Sequence, residues 1–103
     1  MSNPIYPLAD ALRRSPSPNN LAAAIATHGA VDIEFYQPKG EDRQTPHERD
    51  ELYVVARGSG MFELDGNSYP FETGDAVFVP AHAVHRFASF SEDFAVWVLF
   101  LGT

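Results

Sequence analysis

Glu51-Leu52-Tyr53-Val54-Val55-Ala56-Arg57-Gly58-Ser59-Gly60-Met61-Phe62-Glu63-Leu64-Asp65-Gly66 is the stretch on which the reading of the fold turns. Its first half is rich in Val and Tyr, side chains that suit a pleated, half-buried surface. Met61 to Leu64 alternates apolar and polar, and Asp65-Gly66 follows, the strongest short signal for a two-residue hairpin. Gly58 and Gly60 read as bracketing a tight turn between the two runs. Working outward, Ser68–Phe71, Ala76–Val79, Val84–Phe87 and Ala95–Leu101 form further strand-length runs. Thr73-Gly74-Asp75 and Pro80 punctuate them. Upstream, Val31-Asp32-Ile33-Glu34-Phe35-Tyr36 alternates at period two and reads as a strand. Residues 21–27 are Ala-rich, which favours helix by propensity. A turn at His28-Gly29 instead favours a strand paired with Val31–Tyr36, and strand is the reading taken. About eight short strands with Gly and Pro between them describe an all-β sandwich or barrel closed on itself.

The first twenty residues differ. They hold four of the eight prolines, and Ser15-Pro16-Ser17-Pro18-Asn19-Asn20 reads as a linker. Pro7 to Arg14 can form two helical turns with Pro7 at the first position. The organisation expected is an N-terminal arm or short helix over 1–20 and one β domain over 21–103.

Composition narrows the function. A chain of 103 residues fits one domain, burying roughly 65% of its unfolded surface. Fourteen acidic and seven basic residues leave a net charge of −7, and Lys39 is the single lysine. Surfaces that track phosphates or anionic lipids need clustered Lys and Arg, so neither nucleic acid nor membrane is an expected partner. The longest apolar run, Ala95–Leu101, is far short of the ~20 residues that cross a bilayer. No charged-then-apolar leader opens the sequence, so a cytoplasmic location is expected. There is no cysteine, which confines any metal to nitrogen and oxygen ligands.

Four histidines remain to carry chemistry: His28, His47, His82 and His85. His28 sits beside a turn glycine and His82 in the connection after Pro80, so both read as exposed loop residues. His47-Glu48-x-x-Glu51 is half of a helical zinc motif, but its second histidine is missing and a Val-rich strand follows. His47 and His85 gain their weight from what surrounds them.

Pro46-His47-Glu48-Arg49-Asp50-Glu51 through Gly58 resembles the first motif of the cupin superfamily, G-x5-H-x-H-x3,4-E-x6-G. Gly74-x5-Pro80-x4-His85 resembles the second, G-x5-P-x-G-x2-H-x3-N. The 15 residues between Gly58 and Gly74 match the short spacing of small microbial cupins. Thr45 stands where the family's first histidine falls, and Gly40 is one residue out of step with the leading glycine. His82 replaces the second motif's glycine, and Ser89 its asparagine. The resemblance implies a single small double-stranded β-helix, the jelly-roll or cupin barrel. It also implies a divalent transition metal (Fe, Zn, Ni or Mn) held by His47, Glu51 and His85, with Gln44 or Thr45 at a fourth position.

The residue chemistry agrees with that set. Two imidazoles and a carboxylate leave open positions for water or substrate. On an extended chain Thr45 and His47 would share a face, and Glu51 would point inward with Tyr53 and Val55. Tyr53, Phe87 and Trp97 are expected to wall the pocket, and Arg57 or Gln44 to anchor an oxygen group. Cupins host many chemistries, so three functions stay open: a metal-dependent enzyme on a small polar metabolite, a metal-free ligand-binding cup, or an assembly module. No catalytic residue is assigned. The strand Ala95–Leu101 is apolar on both faces, from which a homodimer is expected.

Overall fold

The structure, a computed structural model, describes residues 3–15, 22–42 and 44–102. A short helix, α1 (Leu8–Arg14), begins directly after Pro7, which sits at the N-cap and not at the first helical position. The linker residues 16–20 and the 20/21 boundary lie outside the described residues. Eight strands follow: β1 (Ala23–His28), β2 (Val31–Tyr36), β3 (Asp50–Arg57), β4 (Ser59–Leu64), β5 (Asn67–Glu72), β6 (Ala76–Val79), β7 (His85–Phe90) and β8 (Ala95–Leu101). The Ala-rich segment is therefore strand, because pairing with β2 outweighs its helical propensity. The turn between them is Gly29-Ala30, one residue later than the sequence suggests, and His28 is the exposed end of β1.

The strands form two antiparallel sheets, β1-β2-β8-β3-β6 and β5-β4-β7. From β3 onward the chain steps between them, β3 to β4, β5 to β6 to β7 to β8, winding a double-stranded β-helix. Asp65 (φ 48°) and Gly66 (φ 88°) are both left-handed, as the primed turn joining β4 to β5 requires. Gly58 and Gly60 do not bracket a hairpin, since β3 and β4 do not pair. Gly58 (φ 90°) is the point where the chain leaves one sheet for the other, and a Cβ there would lie 2.8 Å from the Phe94 Cα. Gly60 lies inside β4, where a Cβ would meet the Ser89 carbonyl of β7 at 2.0 Å. Both glycines are required by close backbone approach, not by a tight turn.

Between the sheets lies an aromatic core. Phe87 touches Tyr53, Phe62, Phe71 and Phe94 at ring separations of 4.7–5.4 Å. Val55, Val79, Val96 and Val98 fill the remainder. The helix α1 covers part of the outer face of the larger sheet, burying Ala11 against Phe35 and Ala95 beside Trp97.

Strand register places the side chains that follow. One row runs Asp32, Phe100, Glu51, Val79 across β2, β8, β3 and β6, and the next inward row runs Glu34, Val98, Tyr53, Val77. Tyr53, Val79 and Val98 belong to the interior core, so both rows face inward. The row between them, Ile33, Leu99, Leu52, Phe78, faces outward.

Candidate metal centre

Glu51 is the second residue of β3, and its side chain is fully buried at one end of the barrel. His85 opens β7 in the opposite sheet and is also buried. His47 lies on the coil leading into β3 and is half-buried. The expectation that Thr45 and His47 share an inward strand face is not met. Residues 44–47 form no strand, Pro46 has no N–H to give a ladder, and Thr45 is exposed.

One donor atom from each of His47, Glu51 and His85 lies within 4.8 Å of the others. His47 Nε2 is 3.5 Å and His85 Nε2 3.3 Å from Glu51 Oε1. Donors bonded at ~2.1 Å to one ion stand roughly 3.0–3.5 Å apart, so the two separations from Glu51 fit a shared metal. The protonation pattern fits too. His85 Nδ1 lies 2.9 Å from the Ala83 carbonyl, which makes Nδ1 the donor, so in the neutral ring Nε2 carries the free lone pair. Glu51 Oε1, Glu51 Oε2 and His85 Nε2 are all buried and have no hydrogen-bond partner among the described residues. Buried polar atoms are almost always paired; the nearby Tyr53 hydroxyl donates its one proton to Gln44 Oε1, so these converging lone pairs are what a cation satisfies.

Electrostatics follow from the same burial. Desolvation pushes the Glu51 carboxyl up to about 7, the Tyr53 hydroxyl pulling the other way and the charges of Glu34 and Asp42 adding to the rise. Burial, with His85 nearby, holds His47 below its ordinary value, against the opposing pull of Asp42. His47 is therefore a neutral imidazole near pH 7, the form that binds metals.

The support around the centre was not legible in the sequence. Asp42 is buried and accepts four hydrogen bonds: from Tyr36 Oη, the Gln44 backbone N–H, Gln44 Nε2 and the Phe87 N–H. Because Gln44 Nε2 donates to Asp42, its Oε1 turns toward the site, accepting from Tyr53 Oη at 3.0 Å and lying 3.4 Å from His47 Nε2. His82, left-handed at φ 68°, stands in the conformation of the glycine it replaces, and its N–H donates to the His47 carbonyl at 2.7 Å. Arg49 ties the same coil down through Asp32 and the Ala30 and Phe100 carbonyls. Phe100 sets its ring edge-on to His47 at 5.1 Å. The Arg49 bonds join residues 17 to 51 positions apart and the Asp42–Phe87 bond residues 45 apart, which no local pattern reveals.

Of the expected pocket walls, Tyr53 and Phe87 are in the core next to the site. Trp97 is not. Alternation along β8 sends Val96, Val98 and Phe100 inward and Trp97 outward, against Phe35 and beneath α1. Arg57 is exposed at the far end of β3 and reaches nothing in the cup.

A family model described as a cupin domain matches residues 33–101. The chain belongs to the cupin family. Over 59 residues the cupin is 37% identical to an uncharacterised protein of Streptomyces coelicolor, covering 57% of this chain and 56% of the relative. It thus spans little more than half the length of that curated relative. A structural-genomics protein of unknown function from Rhizobium leguminosarum superposes with a TM-score of 0.80 at 20% identity, with 100% of both chains covered. A cupin family protein with a double-stranded β-helix fold, from Methanocaldococcus jannaschii, gives 0.67 at 16% identity, over 80% of this chain and 79% of that one. At these identities the likeness is one of fold. The assignment of the barrel rests on it, and the metal centre rests on the residues.

Proposed function

We propose that this cupin holds a divalent transition metal through His47, Glu51 and His85, and binds or transforms a small polar metabolite in the cup beside it. The carrying observation is that the buried, unpartnered Glu51 Oε1, Glu51 Oε2 and His85 Nε2 converge from opposite sheets with the half-buried His47 beside them. A bound metal would supply a Lewis-acid centre with open positions. The chain's own contribution is positional: Ala83 fixes the His85 tautomer, Asp42 orients Gln44, and the His82 N–H holds the His47 backbone. Gln44 is the better-supported fourth position, since its Oε1 already faces His47 whereas Thr45 is exposed. Metal identity follows from ligand type only as far as Fe, Zn, Ni or Mn.

The test is elemental analysis of protein purified without a chelating resin, alongside His47→Ala and His85→Ala. About one metal per chain in the parent and a large loss in both variants is the expected result. Sub-stoichiometric metal unchanged by either substitution favours a metal-free cup.

Self-association belongs to the same reading. The outward row Ile33, Leu99, Leu52, Phe78 is apolar across four strands, and Phe78 is 53% exposed. A second copy covering this face would bury it. Among the described residues no helix is long and apolar enough to cross a membrane. A cytoplasmic setting is part of the proposal.

A further inference from the structure

Beside His47 opens a cavity of about 620 Å³, lined by Asp32, Glu34, Pro46, His47, Glu48, Arg49 and Phe100. His47 is shared between this cup and the metal centre and is the cup's link to the cluster whose buried Glu51 and His85 atoms lack partners. Three carboxylates and one guanidinium face the cup. The guanidinium is already engaged: Arg49 Nη1 holds Asp32, and Nη2 holds the Ala30 and Phe100 carbonyls. Asp32 is likewise occupied, by Arg49 and by the Thr27 hydroxyl at 2.7 Å. Glu48 is exposed at the rim.

Glu34 is different. It is half-buried, lies on an inward row beside the Asp32–Phe100–Glu51 row, and makes no hydrogen bond or ion pair among the described residues. One strand, β8, lies between it and Glu51, and the two sit on neighbouring inward rows, roughly 12 Å apart along the backbone, a span that two side chains and a small molecule bridge. Among the described residues the cup therefore holds a carboxylate on its wall that feels the Arg49 charge without pairing to it, and offers no free cation to an anionic head group.

We infer that the cup selects small ligands bearing an amine, whose ammonium sits on Glu34 while the other end reaches His47. This deepens the reading above and rests on it for the metal centre. An anchoring role for Arg57 is replaced by the opposite charge preference.

The probes are 3-amino-1-propanol and 3-hydroxypropanoate, which share a three-carbon chain and a hydroxyl and differ in the charge of the far end. Binding is measured by isothermal titration calorimetry on Co(II)-loaded and on metal-free protein. A missing Co(II) absorption spectrum then reports failure of the metal centre separately from the amine preference. The amine is expected to bind about tenfold tighter than the acid. Glu34→Gln abolishes that difference and Glu34→Asp retains part of it, with far-UV circular dichroism unchanged. Equal or tighter binding of the acid, no binding of either probe, or a preference that survives Glu34→Gln overturns the inference.

Discussion

Across β2, β8 and β3, the same three strands present Asp32, Phe100 and Glu51 to the interior and Ile33, Leu99 and Leu52 to the exterior. A sandwich with a solvated outer face shows the reverse, apolar in and polar out. Here the inner face is apolar only toward Tyr53, Val55, Val96 and the aromatic cluster, and becomes ionisable at the end where His85 comes across from the other sheet. Its outer face is apolar because α1 covers Phe35 and Trp97, and because the neighbouring row continues to Phe78. The contrast teaches that alternation fixes which residues share a face, while the chemistry of each face depends on what is set against it.

The largest effect expected is at the aromatic centre of the inner face. Phe87→Ala removes a ring touching four others and should cost ~3–5 kcal/mol by denaturant unfolding. A loss below ~1 kcal/mol would mean that the inner face is not a close-packed core.

Next is the ionisable end. The Glu51 carboxyl is raised to about 7 in the fold against an ordinary value of 4.5, so between these two values the metal-free folded state holds a proton that the unfolded state has released. Stability of the metal-free protein should therefore fall as pH rises from about 4.5 to about 7, by up to ~3 kcal/mol, and level off above. Glu51→Gln should flatten this slope and abolish metal binding together. Added metal should reverse the slope in the parent, because the carboxylate form is then the bound one. A metal-free parent whose stability rises over this range contradicts the assignment of Glu51.

Smallest in stability terms is the outer face. Phe78→Glu should change the unfolding free energy by no more than ~0.5 kcal/mol, because the side chain is 53% exposed in the single chain. It should halve the mass seen by light scattering. A parent that is monomeric at micromolar concentration removes the need for a partner on that face.

Much of this was legible locally. The Asp65-Gly66 turn, the run to Pro80 and the inward set Glu51, Tyr53, Val55 follow from period two and turn chemistry, and stand as read. Gly58 and Gly60 were misread because a glycine needed for sheet crossing looks the same in sequence as one needed for a hairpin. Trp97 was misplaced because β8 is apolar at every position, so its alternation carries no sign of which side is in. Arg57 lies two positions past Val55 in an inward series, but the series ends where β3 leaves the barrel: a shift in the β8 register falls between those two residues. Asp42 and Arg49 act through partners distant in sequence, Phe87 and Phe100, and only topology brings Glu34 and Arg49 to one cup.

The central claim is that the two sheets meet at a metal. Anomalous diffraction from crystals grown with one equivalent of Co(II), recorded above and below the cobalt edge, addresses it directly. The account predicts a single strong peak within bonding distance of His47 Nε2, a Glu51 carboxylate oxygen and His85 Nε2. No peak there, with a proton shared between Glu51 and His85 closing the gap instead, would contradict it.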